Sequence, residues 1–149
     1  MKISIAMATY NGADFIEAQL QSFVDQTCQP DEVVITDDRS SDNTVALIEQ
    51  FAKTAPFKIV VTVNEQNLGY AGNFNAALIH TTGDLVFLSD QDDVWFDDKI
   101  EKIYQLAISE ESLLIMNNAE ITDSFLNKTG INKLEQIRSL GKGQNKFVK

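Results

Sequence analysis

Along most of the chain a short apolar run is followed by a stretch with apolar residues at helical spacing, and the pair then repeats. KISIAMATY (2–10) has strand length, and GADFIEAQLQSFVDQT (12–27) places Ile16, Leu20, Phe23 and Val24 on one helical face. DEVVITDD (31–38) reads as a second strand. SDNTVALIEQFAKTA (41–55) reads as a second helix, with Val45, Ile48, Phe51, Ala52 and Ala55 at helical spacing and Ser40 or Ser41 as its cap. A third strand is expected at FKIVVTVNE (57–65), then a glycine-containing loop at NLGYAG (67–72) and a helix through Phe74 and Leu78. DLVFLSD (84–90) reads as the fourth strand, followed by a helix carrying Ile100, Ile103, Tyr104 and Ala107 and a last strand at SLLIMNNA (112–119). Phe15, Phe23, Phe51, Phe74 and Phe87 are the expected core aromatics. The alternation predicts an α/β domain of three layers, α/β/α, around a mostly parallel, doubly wound sheet, because right-handed crossovers put helices on both faces.

In such sheets ligands bind beyond the carboxyl ends of the strands. Every one of those ends is polar here: Thr9, Tyr10 and Asn11 after the first strand, Asp37 and Asp38 after the second, Asn64, Glu65 and Asn67 after the third, and Asp90, Gln91, Asp92 and Asp93 after the fourth. Singly, each could be turn chemistry. Together they predict one shared crevice.

Composition narrows the ligand. With 149 residues, 44% of them hydrophobic, the chain suffices for one globular core without staples. Twelve basic against 22 acidic residues, a net charge of -10, argue against a nucleic-acid partner. Lys128, Lys133, Arg138, Lys142, Lys146 and Lys149 make the end of the chain more basic than its body, which reads as a solvated end, with a membrane-surface or partner contact as the alternative. The single cysteine, Cys28, reads as a half-buried thiol in a reducing compartment. No apolar run reaches membrane-span length and the start lacks a signal-peptide pattern, so a cytoplasmic chain is expected. His80, late in a helix, reads as a favourable helix-end residue rather than a ligand.

Neither G-x-G-x-x-G after the first strand nor a P-loop is encoded, so phosphate must be held another way. The crowded carboxylates of DQDD, with no lysine beside them, suit a hard divalent cation such as Mg2+ or Mn2+, which takes oxygen ligands and bridges to substrate phosphates. In an extended segment Asp90 and Asp92 point to one side and Gln91 to the other; Asp93 reads as a helix-entry or outer acid.

The strings SIAMATYNGADFIEAQLQSFVDQT, VVITDDRSSDNT, NEQNLGYAGNFNAAL and GDLVFLSDQDDVW, from residue 2 to about residue 127, resemble the nucleotide-sugar-binding half of the family 2 glycosyltransferases with the GT-A fold. The DQDDVW form resembles bacterial enzymes of cell-surface polysaccharide synthesis, rhamnosyltransferases among them. The resemblance implies a nucleotide loop at Ala8, Thr9, Tyr10 and Asn11, with Tyr10 stacking on the base. It implies that Asp38 contacts a uracil or thymine ring beside Asp37, and that Asn67, Gly69 and Asn73 lie near the ribose and diphosphate. Asp90 and Asp92 match the two acids of the family's D-x-D motif, Asp92 being the direct metal ligand and Gln91 lying between them at the donor; Trp95 fits either the approach to the sugar or a packing role.

The implied chemistry is inverting transfer of a sugar from a UDP- or dTDP-linked donor to a hydroxyl of a glycan or lipid-linked acceptor, with a divalent cation and, in the full-length protein, peripheral association with the inner face of the membrane. The family's general base lies in an acceptor-binding segment well past the D-x-D, and Asp123 and Glu135 do not resemble its context. We therefore expect residues 1–127 to form the donor-binding domain and residues 128–149 to start a missing acceptor-binding part, the fold being C-terminally truncated. The alternative is a non-catalytic nucleotide-sugar-binding or regulatory module. A haloacid-dehalogenase-type phosphatase would carry D-x-D-x-[TV] after its first strand rather than its fourth, and an EF-hand needs glycine where Trp95 stands.

Overall fold

A computed structural model describes residues 1–110, 114–123 and 126–133. The chain divides into two compact units, Met1–Leu106 and Ala107–Lys149. The first is built on a parallel sheet of β1 (Ile3–Thr9), β2 (Glu32–Asp37), β3 (Lys58–Val63) and β4 (Leu85–Ser89) in the order β3-β2-β1-β4. The chain thus winds outward from β1 in one direction through β2 and β3, then returns to β1's other side with β4, which is the doubly wound arrangement that the alternation predicts. Register is unbroken: Met7 pairs with Ile35 and with Ser89, and Thr9 with Asp37.

The two central strands are buried along their whole length, as expected of parallel strands covered on both faces. Odd-numbered residues Ile3, Ile5, Met7, Val33, Ile35 and Phe87 form one apolar core with Ile16, Leu20 and Phe23 of α1 (Ile16–Val24), Ile48 of α2 (Thr44–Ala52) and Ile100 of α4 (Lys99–Glu110). α3 (Gly69–Ile79) packs against β1 and β2, where Thr36 Oγ1 donates to Asn73 O at 2.7 Å.

Trp95 belongs to this core. It is 5% exposed, its ring centroid 4.7 Å from that of Phe23 and 5.6 Å from that of Phe87, with Lys99 Nζ 3.7 Å above its face. Of its two readings, packing is the one the fold adopts. Phe15, by contrast, is 46% exposed: α1 begins one residue later, and the turn closed by Phe15 N–H and Ile16 N–H on Gly12 O leaves the Phe15 ring outside the apolar stripe.

Two further expectations change. α2 is not capped by Ser40 or Ser41; Asn43 holds the cap position without a side-chain bond, and Asp42 Oδ1 accepts from Thr44 N–H. The serines are engaged elsewhere, Ser40 by Asp37 and Ser41 by Asn11. The apolar stretch expected as a strand over 112–119 is neither helix nor strand in its described part, 114–119, with Leu114 81% exposed. An apolar run becomes a strand only where an edge receives its backbone. In the second unit β5 (Glu120–Thr122) instead pairs antiparallel with β6 (Lys128–Asn132), with a Lys128–Glu120 ion pair of 2.8 Å. Residues 134–149, with Glu135 and the remaining basic positions, lie outside the described residues. Among the described residues no helix is long and apolar enough to cross a membrane.

Candidate functional site

Past the carboxyl ends of β1, β2 and β4 lies a pocket of about 340 Å³, lined by Ala8, Thr9, Tyr10, Asp38, Asn67, Gly69, Tyr70, Asn73, Asp90, Gln91 and Asp92. The parallel sheet puts these strand ends side by side, and the loops after them supply polar groups from residues far apart in sequence. No lysine, arginine or histidine lines the pocket.

One wall is organised by Asp38, a carboxylate only 3% exposed. Its Oδ1 accepts from Leu68 N–H at 2.7 Å and Asn64 Nδ2 at 2.9 Å, and its Oδ2 from Gly69 N–H at 2.9 Å. A carboxylate thereby holds the open N–H groups at the start of α3, where the helix dipole favours negative charge. Gly69 adopts φ +69°, a left-handed conformation that glycine enters without a Cβ penalty, and this turns the chain from the loop into the helix. Asn73, 3% exposed, spans the floor: its Nδ2 donates to Thr9 O at 3.1 Å and its Oδ1 accepts from Asn64 Nδ2 at 2.9 Å.

The opposite wall comes from the loop after β4. Gln91 does not point away from the pocket as an extended segment would have it. The chain leaves the strand conformation after Ser89, and the Gln91 amide turns onto the main chain of Tyr10, accepting from Tyr10 N–H at 2.8 Å and donating to Tyr10 O at 3.1 Å. This two-point contact ties the loop after β1 to the loop after β4 and leaves the Tyr10 ring half exposed beside the pocket. A Cβ on Gly12 would lie 2.3 Å from Gln91 Oε1, so glycine is needed for this approach.

Asp37 and Asn11 are not among the lining residues. Asp37 is fully buried and accepts from Thr9 Oγ1, Ser40 N–H and Ser40 Oγ, while Asn11, at φ 47°, accepts from Ser41 N–H at 2.8 Å. Both brace the loops after β1 and β2 against each other. Asp123 accepts from Asn127 within the turn between β5 and β6. His80 closes α3, with Nδ1 2.7 Å from Ala76 O.

The acids Asp90 and Asp92 line the pocket together, with Asp93 beside them. Burial pushes the Asp90 carboxyl above the ordinary aspartate range, and the charges of Asp93 and Asp92 push it further; the Tyr70 hydroxyl, 3.4 Å from Asp90 Oδ2, opposes the rise. Among the described residues no group of three potential ligands converges on one point, and the loop after β4 brings the two carboxylates of Asp90 and Asp92 to the lining. That donor set fits a hard cation that keeps waters and takes phosphate oxygens. Tyr70 is a lining residue that the strand-end reading misses, because it stands inside a helix.

The family described as Glycosyl transferase family 2 matches residues 4–147. The chain belongs to glycosyl transferase family 2. The chain is 35% identical over 122 residues to the dTDP-rhamnosyl transferase RfbG of Shigella flexneri, covering 79% of this chain and 40% of that protein. It is 31% identical over 122 residues to the UDP-Glc:alpha-D-GlcNAc-diphosphoundecaprenol beta-1,3-glucosyltransferase WfgD of Escherichia coli, covering 82% and 47%. Among solved structures, S. aureus TarS 1-349 in complex with UDP aligns at TM-score 0.68 and 26% identity over 83% of this chain and 39% of that one. The mannosyltransferase PcManGT of Pyrobaculum calidifontis, in complex with GDP-Man and Mn2+, aligns at TM-score 0.63 and 25% identity over 82% and 35%. The fold is therefore that of the GT-A transferases. The chain spans less than half the length of these curated relatives.

Proposed function

We propose that this chain is the donor-binding part of an inverting glycosyltransferase of bacterial cell-surface glycan synthesis, using a UDP- or dTDP-linked hexose or deoxyhexose. The observation that carries the proposal is the convergence of Asp38, Tyr10, Asp90 and Asp92 from three strand ends on one pocket with no basic residue in its lining. A nucleoside diphosphate brings negative charge to a site that is already acidic, so a divalent cation held by Asp90 and Asp92 would make the charges compatible.

Among the described residues Asp38 Oδ2 accepts one hydrogen bond, from Gly69 N–H, and keeps a lone pair for the imide N–H of the uracil or thymine ring that the family resemblance implies. Tyr10, its main chain held by Gln91, offers its ring to the base. Asn67 and Gly69, in the pocket lining at the start of α3, lie near the ribose and diphosphate. Asp92 and Asp90 would hold Mn2+ or Mg2+. When bound, that ion offsets the charge that builds on the leaving diphosphate. We assign no general base to the described residues, and read the acceptor as a glycan or lipid-linked hydroxyl met by the full-length protein at the inner face of the membrane; RfbG and WfgD, by their names, are the precedents for donor and acceptor.

Calorimetric titration with UDP and dTDP, with and without Mn2+, tests the reading on wild type and Asp92→Ala. Binding that strengthens with Mn2+ in wild type, and loses that dependence in Asp92→Ala, is expected. A folded wild type that binds neither nucleotide refutes it.

A further inference from the structure

We propose that Tyr70 is a positioning residue for the Asp90 carboxylate, and through it for the cation and diphosphate; the proposal rests on the donor-site reading above. Its placement is determined from both sides of the pocket. Tyr70 follows Gly69, whose N–H is held by Asp38 Oδ2 at 2.9 Å, so its backbone is tied to the end of β2. Its ring meets Phe74 edge-to-face with centroids 4.9 Å apart, and Phe74 is itself buried. From this brace the phenol O–H donates to Asp90 Oδ2 across the pocket at 3.4 Å.

The main chain of Asp90 is held independently. Ser89 Oγ donates to Asp90 O at 2.9 Å, and the buried Gln19 Nε2 donates to Ser89 Oγ at 2.8 Å. The backbone is thus pinned from α1, whereas the carboxylate has, among the described residues, Tyr70 as its donor. Tyr70 is 71% exposed, so its ring contributes little to the core, and packing alone does not account for an aromatic residue aimed at an acid. With Oδ2 engaged by the phenol, Oδ1 is the oxygen left for a cation. Hydrogen bonds of this kind orient metal-binding carboxylates, and their loss typically costs about 10- to 100-fold in metal affinity. The 3.4 Å separation is long for O–H···O, as such contacts often are before ligand binds.

The test titrates Mn2+ into the 149-residue chain saturated with UDP or dTDP, reading free Mn2+ by electron paramagnetic resonance, for wild type and Tyr70→Phe. Nucleotide affinity in chelator is measured in parallel, and circular dichroism checks the fold. Tyr70→Phe keeps the ring and deletes one exposed hydroxyl. The expected result is Mn2+ affinity reduced by about tenfold with metal-free nucleotide affinity unchanged. Equal Mn2+ affinity in the two proteins overturns the proposal. An equal loss in metal-free nucleotide affinity also overturns it, making Tyr70 a nucleotide contact. A wild type that takes up neither Mn2+ nor nucleotide overturns the donor-site reading, and this proposal with it.

Discussion

At the end of the sheet opposite the pocket, Glu32 opens β2 with its side chain 5% exposed, and replacing it with glutamine separates the charge of this residue from its shape. Its Oε1 accepts from Ser4 Oγ at 2.7 Å, Thr82 N–H at 2.7 Å and Thr82 Oγ1 at 2.8 Å, and Lys2 Nζ lies 3.4 Å from Oε2. Burial alone would raise its pKa, but these donors outweigh burial and bring it from 4.5 down to about 2. At about 1.4 kcal/mol per pH unit the difference corresponds to about 3 kcal/mol of stability. The Lys2 side chain is 43% exposed, so its part is screened by water, and we expect about 2–3 kcal/mol from the whole. The sign follows from a folded-state pKa below the unfolded one: the stabilisation is complete above 4.5 and disappears as pH falls through about 2. Urea unfolding followed by the fluorescence of the single tryptophan, Trp95, should show Glu32→Gln less stable by that amount at pH 7 and approaching wild type in acid. A difference below about 1 kcal/mol at pH 7, or one that does not shrink in acid, would refute the reasoning. UDP affinity should be untouched, because Glu32 lies at the far end of the strands from the pocket.

Gly69→Ala tests whether the left-handed turn after Asn67 is what positions the start of α3. A Cβ there meets no neighbour within 4 Å, so the cost is conformational, about 1–2 kcal/mol, and nucleotide affinity should fall with it; unchanged stability would mean that the turn relaxes freely. Lys99 gives a second pH effect of the same sign, at alkaline pH. Burial pushes its ammonium down while Asp93 draws it back up, leaving it at about 8, so an unfolded chain holds this proton up to a higher pH than the folded one does. Stability should therefore rise between about 8 and 10.5 in wild type, with a slope of at most about 1.4 kcal/mol per pH unit, and Lys99→Met should remove the rise. Retention of the slope in the variant would place the responsible group elsewhere.

The order of strands and helices from β1 to α4 was legible in the sequence because each element repeats a spacing that backbone geometry imposes, two residues along a strand and 3.6 around a helix. The polar strand ends were legible for a related reason: a parallel sheet lines up its carboxyl ends, so Thr9, Tyr10, Asp38, Asp90 and Asp92 had to be neighbours once the strands were placed. What spacing does not encode is the direction of a side chain once the chain leaves regular structure. Gln91 turns onto Tyr10, and Asp37 and Asn11 brace loops, because hydrogen bonds to residues distant in sequence decide those orientations, while Phe15 faces solvent because the turn closed on Gly12 O starts α1 one residue after it. The stretch 114–119 failed as a strand for the same reason, since an apolar run needs a partner edge that only the fold can provide. Tyr70 entered the pocket because Asp38, 32 positions earlier, anchors the turn of α3 that carries it, a contact between residues with no periodic relation. Local sequence determined the elements and the polarity of their ends; tertiary hydrogen bonding, which alone satisfies buried carboxylates and loop amides, decided which of those polar groups face the pocket and which hold its walls.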